Sequence, residues 1–406
     1  MEPEPFKLHV ERDVLQDLRV RLERTRRVRG IAAPDWKHGV DPSYLDELIA
    51  YWLNGFDWQL QEEKLNAQPH YRASVDGARL HFVHARGRGS ENLPLLLLHG
   101  WPDSFLRYVK LIPILADPRR MGFSLDDAFD VVVPSLPGFP LTGPVAHPAG
   151  RSANRHSAQL LWRLMTEVLG YERFAVAGGD GGSMLAQILA IDYPDSVIAI
   201  HLTDIGWHAT DVNMDWLSRA EAKYVRAAHR RFLADGAYAA VQMSQPRSLA
   251  VGLNDSPVGL ASWIVDRFHS WSDPRADFRR AFRKDVLLTN IMLYWTTQTI
   301  GSSMLSYYSE AHRPSLTPSD YVDCPVGLAL FPFDGAGVPP RSFAERTLNV
   351  RRYARMSSGG HFAALEVPGL LVREIFDFLG PLRRWNRIAA SAVRRAEVAQ
   401  YAREPG

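Results

Sequence analysis

The sequence predicts an α/β protein with a mostly parallel central sheet. Apolar runs of strand length alternate with helical stretches over residues 93–205 and again from 316 to 384. Such alternation is the pattern of parallel sheets with helical crossovers. The runs are also continuous and not alternating, as in "LPLLLLHG" (93–100). That is how strands buried on both faces read.

The elements follow in order. In the first 92 residues, Val14, Leu15, Leu18 and Leu22 fall at helical spacing, as do Tyr44, Leu45, Leu48, Ile49 and Trp52. "HYRASVDGARLHFVHARG" (70–87) alternates around Asp76-Gly77 and predicts a β-hairpin. "LPLLLLHG" predicts the first buried strand and "FDVVVPSLPG" (129–138) the second, ending near Pro134. A helix is expected over Ser157–Leu169, a third strand at "RFAVAGG" (173–179), a helix over Met184–Tyr193, and a fourth strand at "SVIAIHLTD" (196–204). From 206 to 315 the alternation stops. That stretch is helical in pattern and rich in Trp and Tyr, which predicts an inserted helical domain. "CPVGLALFP" (324–332) and "NVRRYARMSSGGHF" (349–362) resume the strands, and "PGLLVREIFDFLG" (368–380) reads as a closing helix. Residues 385–406 form a basic tail, expected to be a solvated or interface helix; a homodimer is one assembly this allows.

Composition narrows the class. Of 406 residues, 46% are apolar and 23% charged, the ordinary balance of a globular protein. The net charge of +2 is spread along the chain, with arginines interleaved with acids, so no nucleic-acid footprint is present. Cys324 is the single cysteine, which excludes an internal disulfide and argues against a cysteine metal site. This fits a reducing, cytoplasmic setting. The N-terminus has no apolar stretch like a signal peptide, and no segment reaches the ~20 apolar residues of a membrane helix.

The chemistry centres on "GGDGGS" (178–183). A strand, a tight glycine-flanked turn and a helix make the nucleophile elbow of α/β-hydrolases. Small residues are needed two places before and after the nucleophile, and Gly178 and Gly182 fill those places. The nucleophile is then Asp180, at a strand end and a helix N-terminus, where negative charge is favoured. Serine must lose a proton as it attacks. A carboxylate is already ionised at neutral pH and attacks an sp³ carbon directly, forming an alkyl ester. Epoxides and alkyl halides suit that chemistry.

The partners are expected in the order nucleophile, acid, histidine. His361 stands on the glycine-rich "SSGGHFAALEVP" (357–368), and Asp334 ends a strand in "LFPFDGAGVPP" (330–340). Asp204 also ends a strand and competes for the acid's place. "HGWP" (99–102) follows the first buried strand, where this fold supplies one oxyanion donor. The donors are then the N–H groups of Trp101 and Gly181.

With these residues in place, the chain resembles the microsomal-type epoxide hydrolases over nearly its whole length. The resemblance rests on "FDWQLQEEKLNAQPHY", "HGWPDSF", "GGDGGS", "LNDSPVGLASWI", "LLTNIMLYWTT" and "GGHFAALEVP". It implies the α/β-hydrolase fold with an N-terminal meander and first hairpin (1–92), a core in two parts (93–205 and 316–384), a helical lid (206–315) and the tail. It implies Asp180 as nucleophile, His361 as base and Asp334 as the acid that orients it. Two lid tyrosines that protonate the epoxide oxygen match Tyr238 in "GAYAAVQMSQP" and Tyr307 in "SSMLSYYSE", with Tyr308 the neighbour to be distinguished. No cofactor and no metal are implied. The membrane anchor of the mammalian members has no counterpart here. Gly181, Leu305 and Ser306 depart from the residues common in the family.

The expected activity is hydrolysis of a hydrophobic or natural-product epoxide to a vicinal diol. Catabolism, detoxification and secondary metabolism are all compatible roles. A haloalkane dehalogenase would share the aspartate but needs halide-binding N–H side chains, often a Trp at the Gly181 position. A non-catalytic α/β-hydrolase would be free to lose the triad and tyrosines.

Overall fold

The strands are β1 (Glu4–Pro5), β2 (His70–Val75), β3 (Ala78–Ala85), β4 (Leu93–Leu98), β5 (Phe129–Pro134), β6 (Phe174–Gly178), β7 (Val197–Leu202), β8 (Val322–Leu330) and β9 (Leu348–Arg355). In the computed structural model, which describes residues 2–28, 35–148, 150–335 and 337–383, they form one sheet. Its order is β1-β2-β3-β5-β4-β6-β7-β8-β9. β4 to β9 run parallel, and the β1–β2–β3 edge joins β5 antiparallel. The β2–β3 turn uses Asp76 and Gly77, both at positive φ (48° and 79°), as a two-residue hairpin requires.

Leu95, Leu96, Leu97 and Leu98 in β4 are all fully buried, as are Val131, Val132 and Val133 in β5. Each contributes about 1.5–3 kcal/mol of apolar burial. This central pair therefore anchors the loops that leave its carboxyl ends. The helix after β6, Gly181–Asp192, starts three residues before the expected Met184. Its first turn is glycine, a poor helix former, so periodicity missed it. The helix expected over 157–169 starts at Ala153, where Ser152 caps it, and passes into a wider turn at Leu164–Val168. The closing helix begins at residue 368 and continues to 383, the last described residue. The tail expected over 385–406 lies outside the described residues.

Between β7 and β8 the chain forms the helices Arg219–Asp235, Ala237–Ser244, Pro246–Asp255, Pro257–Ser270, Lys284–Thr297 and Ile300–His312. Among the described residues, no helix is long and apolar enough to cross a membrane.

Buried polar bonds tie these helices to the sheet. Asn290 donates through Nδ2 to the Pro102 carbonyl (2.9 Å) and accepts from Ser104 Oγ (2.9 Å). Tyr294 donates through its hydroxyl to the Asp103 carbonyl (2.7 Å). The helix Lys284–Thr297 thus holds the loop after β4 in place. From outside, the N-terminal segment packs on the inserted helices. Tyr51, in the helix Pro42–Asn54, donates to Asp285 (2.7 Å), and Trp36, in the bend before that helix, stacks on His269 with ring centres 3.7 Å apart.

Asn290→Ala removes a bond at each end of a buried amide and orphans two groups. Each orphan costs about 1–3 kcal/mol. The expected result is a clearly lowered unfolding midpoint in thermal or denaturant melts, whereas Asp17→Ala, on the exposed face of the helix Arg12–Glu23, should stay within about 0.5 kcal/mol of the parent.

Candidate active site

The elbow is built from close approaches. A Cβ on Gly178 would fall on the Gly182 carbonyl, and one on Gly182 would fall on the Leu98 carbonyl of β4. One on Gly179 would lie 2.5 Å from Thr203 Oγ1 and 2.6 Å from an Arg107 guanidinium nitrogen. Asp180, between them, takes φ 58° and ψ −130°. A non-glycine residue rarely holds that conformation, and the strain is on the order of 1–3 kcal/mol.

Asp204 is what holds it. The Asp180 N–H donates to Asp204 Oδ2 (2.8 Å), and Ser183 Oγ donates to the same oxygen (2.9 Å). The Gly206 N–H donates to Oδ1 (2.9 Å). Asp204 therefore braces the elbow's backbone and does not pair with His361. Burial, then the nearby Asp334 charge, push its carboxyl well above the usual range, while the Asp180 N–H pulls it back.

His361 donates through Nδ1–H to Asp334 Oδ1 (2.7 Å), which also accepts the Gly335 N–H (2.6 Å). A carboxylate at that distance selects the tautomer with hydrogen on Nδ1. His361 Nε2 then faces Asp180 Oδ2 at 3.5 Å with its lone pair. Burial alone would lower the imidazole's pKa; the charge and hydrogen bond of Asp334, and then the Asp180 charge, outweigh it and raise it. Burial would raise the Asp334 carboxyl, but the His361 charge and hydrogen bond bring it below its ordinary value.

The Trp101 N–H donates to Asp180 Oδ1 (2.8 Å). The Gly181 N–H, at the first position of its helix, has no intrahelical acceptor and makes no bond to the carboxylate in this state. The Trp101 indole stacks on Tyr238, with ring centres 5.5 Å apart and planes 4° from parallel, and meets Tyr307 edge-on at 6.1 Å. Tyr238 and Tyr307 line one cavity with Asp180 and His361. Burial, followed for Tyr238 by the Asp180 charge and for Tyr307 by the Tyr238 and Asp180 charges, raises both phenols, so they stay protonated donors. Tyr308 instead is 42% exposed and stacks on His312. The seven sequence-nominated residues thus line one cavity; Asp204 also lines it but bonds to the elbow and not to His361, and Tyr308 does not line it.

The cavity measures about 270 Å³, and its wall is largely apolar, with Leu136, Phe139, Met184, Ile205 and Phe232 among its lining. Among the described residues, no group of three or more His, Cys, Asp or Glu is arranged to hold a metal ion.

Three supports were not read from the sequence. Arg107 and Asp103 form a fully buried ion pair behind the elbow, and Asp103 Oδ1 accepts the Gly100 N–H (3.1 Å). Their spacing of four residues in "DSFLR" was the available signal. Trp271 accepts the His361 N–H on its carbonyl (2.8 Å), while its indole donates to Asp235 (2.9 Å). Glu366 accepts the N–H groups of Asp273, Gly360 and Phe362. A Cβ on Gly360 would lie 2.5 Å from the Trp271 carbonyl, which is why the residue before His361 is glycine.

An aspartate on a strained elbow, with a histidine and an acid from later strand ends, is the arrangement of an α/β-hydrolase. The comparisons agree. The model of the epoxide hydrolase N terminus matches residues 3–108, and that of the alpha/beta hydrolase fold matches 94–289. A Stigmatella aurantiaca protein, provisionally named an epoxide hydrolase, is 36% identical over 93% of this chain and 85% of its own. Epoxide hydrolase 1 of Sus scrofa is 32% identical over 94% of this chain and 89% of its own. The solved juvenile hormone epoxide hydrolase of Bombyx mori superposes with a TM-score of 0.84 at 25% identity, covering 95% of each chain. The chain belongs to the epoxide hydrolase family.

The charge of Asp180 is one cause of the raised His361 pKa, and that of Asp334 is a larger one. Removing either negative charge must lower it. In Asp180→Asn, the histidine's titration, followed by NMR of its ring protons, should move to lower pH than in the parent, and in Asp334→Asn further still. A rise in either variant would show that the charges do not face the ring as described.

Proposed function

We propose that this protein converts an epoxide and water to a vicinal diol through an ester on Asp180. The observation that carries this reading is the arrangement around one carboxylate. Oδ1 is held by the Trp101 N–H, which leaves Oδ2 to attack. Two protonated phenols, Tyr238 and Tyr307, line the cavity from the lid side, the region read as 206–315.

In the first half-reaction, Oδ2 displaces the epoxide oxygen from carbon. The C–O bond breaks, and the oxygen takes a proton from a phenol as charge builds on it. In the second, His361 Nε2 takes a proton from water, and the hydroxide adds to the Asp180 carbonyl carbon. Oδ1 carries the negative charge, facing the Trp101 N–H and reached by the Gly181 N–H as the tetrahedral centre forms. Collapse expels the diol oxygen, which takes the proton held by His361, while the remaining proton of the added water returns to the phenolate, so Asp180 is restored as a carboxylate with one oxygen derived from water. Asp334 orients the ring and balances the imidazolium. The apolar wall favours a hydrophobic epoxide.

His361→Gln tests the division. Alkylation needs no base, so the variant should consume about one equivalent of styrene oxide and stop. Its intact mass should rise by the mass of the epoxide, with the adduct on the peptide containing Asp180. A single turnover of the parent in ¹⁸O-water should label Asp180 and leave the diol largely unlabelled. Label appearing at once in the diol, with no adduct, would make water the direct nucleophile.

The two phenols share one developing charge. Tyr238→Phe or Tyr307→Phe should each slow alkylation by roughly ten- to a thousandfold, the scale of one lost donor, and the double variant should be nearly inactive. Tyr308→Phe should alkylate at the parent rate; stopped-flow burst kinetics read all four.

A further inference from the structure

The elbow glycines do not share one reason. Gly178, Gly179 and Gly182, together with Gly100 across the loop, each leave no room for a Cβ. Gly181 is different. A Cβ there would meet only the Gly100 Cα, at 3.9 Å, an ordinary contact distance. Its φ is not positive, so no backbone conformation demands glycine. It stands at the first position of the helix Gly181–Asp192, where helix formation does not call for glycine. Neither sterics nor backbone explains the residue.

The cavity does explain it. Gly181, Met184 and Leu185 fall at i, i+3 and i+4 on one helix face, and all three line the cavity. Met184 and Leu185 wall it. Gly181, the member adjoining Asp180, leaves the wall open beside the attacking carboxylate.

We propose that Gly181 is a specificity-determining residue, its missing side chain making a subsite for a second or branched substituent on the epoxide carbon that Asp180 attacks. This rests on the epoxide hydrolase reading and extends it to substrate class. A carbon in bonding distance of Oδ2 projects its substituents over the neighbouring floor. With a side chain at 181, a singly substituted ring still fits, but a gem-disubstituted one meets the added atoms. The N–H of residue 181 is unchanged by any substitution other than proline, so the oxyanion donor is kept.

The test compares α-methylstyrene oxide with 1,2-epoxypropane in the parent, Gly181→Ala and Gly181→Leu. One added carbon in an apolar pocket is worth roughly 10–200-fold in discrimination. The ratio of kcat/KM for the bulky over the small epoxide should therefore fall about tenfold in Gly181→Ala and more than a hundredfold in Gly181→Leu. Gly181→Ala has room to fold, and a circular dichroism melt at or above the parent's midpoint is expected. An unchanged ratio, whether both rates hold or both fall together, overturns the subsite. A parent that forms no diol from either epoxide overturns the epoxide reading itself, and the proposal with it.

Discussion

The site depends on one backbone conformation, the left-handed φ of 58° that Asp180 holds between β6 and its helix. No isolated turn would keep a residue with a Cβ there. The surroundings over-determine it. The Leu98 carbonyl of β4 packs against Gly182, the Gly182 carbonyl packs against Gly178, and Asp204 takes the Asp180 N–H on a buried carboxylate. Because the parallel strands under the elbow are fully buried, none of these contacts can relax without disturbing the core. The strain buys a single outcome: the carboxylate leaves the backbone pointing into the cavity, with one oxygen on the Trp101 N–H and the other toward His361.

That geometry concentrates charge in a place where charge is costly. Asp103, Asp180, Asp204 and Asp334 lie near one another, against the cations Arg107 and, when protonated, His361. In a dry interior each such interaction is far stronger than in water. Arg107 answers Asp103 directly, and its guanidinium reaches the backbone beneath Gly179. Asp334 is answered by His361. Asp204 is left with N–H and O–H donors only, and its carboxyl is pushed upward accordingly. In the proposed mechanism, alkylation turns Asp180 into a neutral ester, so the cluster loses a negative charge midway through the cycle. His361 would then hold its proton less tightly, as a base that must later hand it to the departing alkoxide should.

Most of this could be read in the sequence because the elbow's requirements are local. Gly178 is fixed by Gly182 within the turn, Gly182 meets β4 but is legible from its spacing to Asp180, and the order of strand-end residues follows the chain. What could not be read is set by packing across long separations. Asp204 and Asp334 both end strands, and only three-dimensional register gives one to the elbow and the other to His361. Trp271 reaches the His361 N–H from ninety residues away along the chain, and no periodicity carries that. Tyr307 and Tyr308 are neighbours, and only the orientation of their helix turns one into the cavity. The helix after the elbow was placed late because its first turn is glycine, for reasons of contact and space that propensity does not record.

The two half-reactions of the proposed mechanism meet at Asp180 and otherwise draw on different parts of the chain. On that reading, protonation of the epoxide oxygen belongs to Tyr238 and Tyr307, from the helices inserted between β7 and β8. Ester hydrolysis belongs, on the same reading, to groups on the sheet's own loops: His361, Asp334 and the N–H groups of Trp101 and Gly181. Trp101 joins the two sets, since its N–H holds Asp180 while its indole stacks on Tyr238. The helical insertion is in turn pinned at both faces, by Asn290 and Tyr294 on the loop carrying Trp101 and by the Trp271 carbonyl on the loop carrying His361. A lid held by buried polar bonds at each catalytic loop cannot swing away as a rigid body without orphaning them.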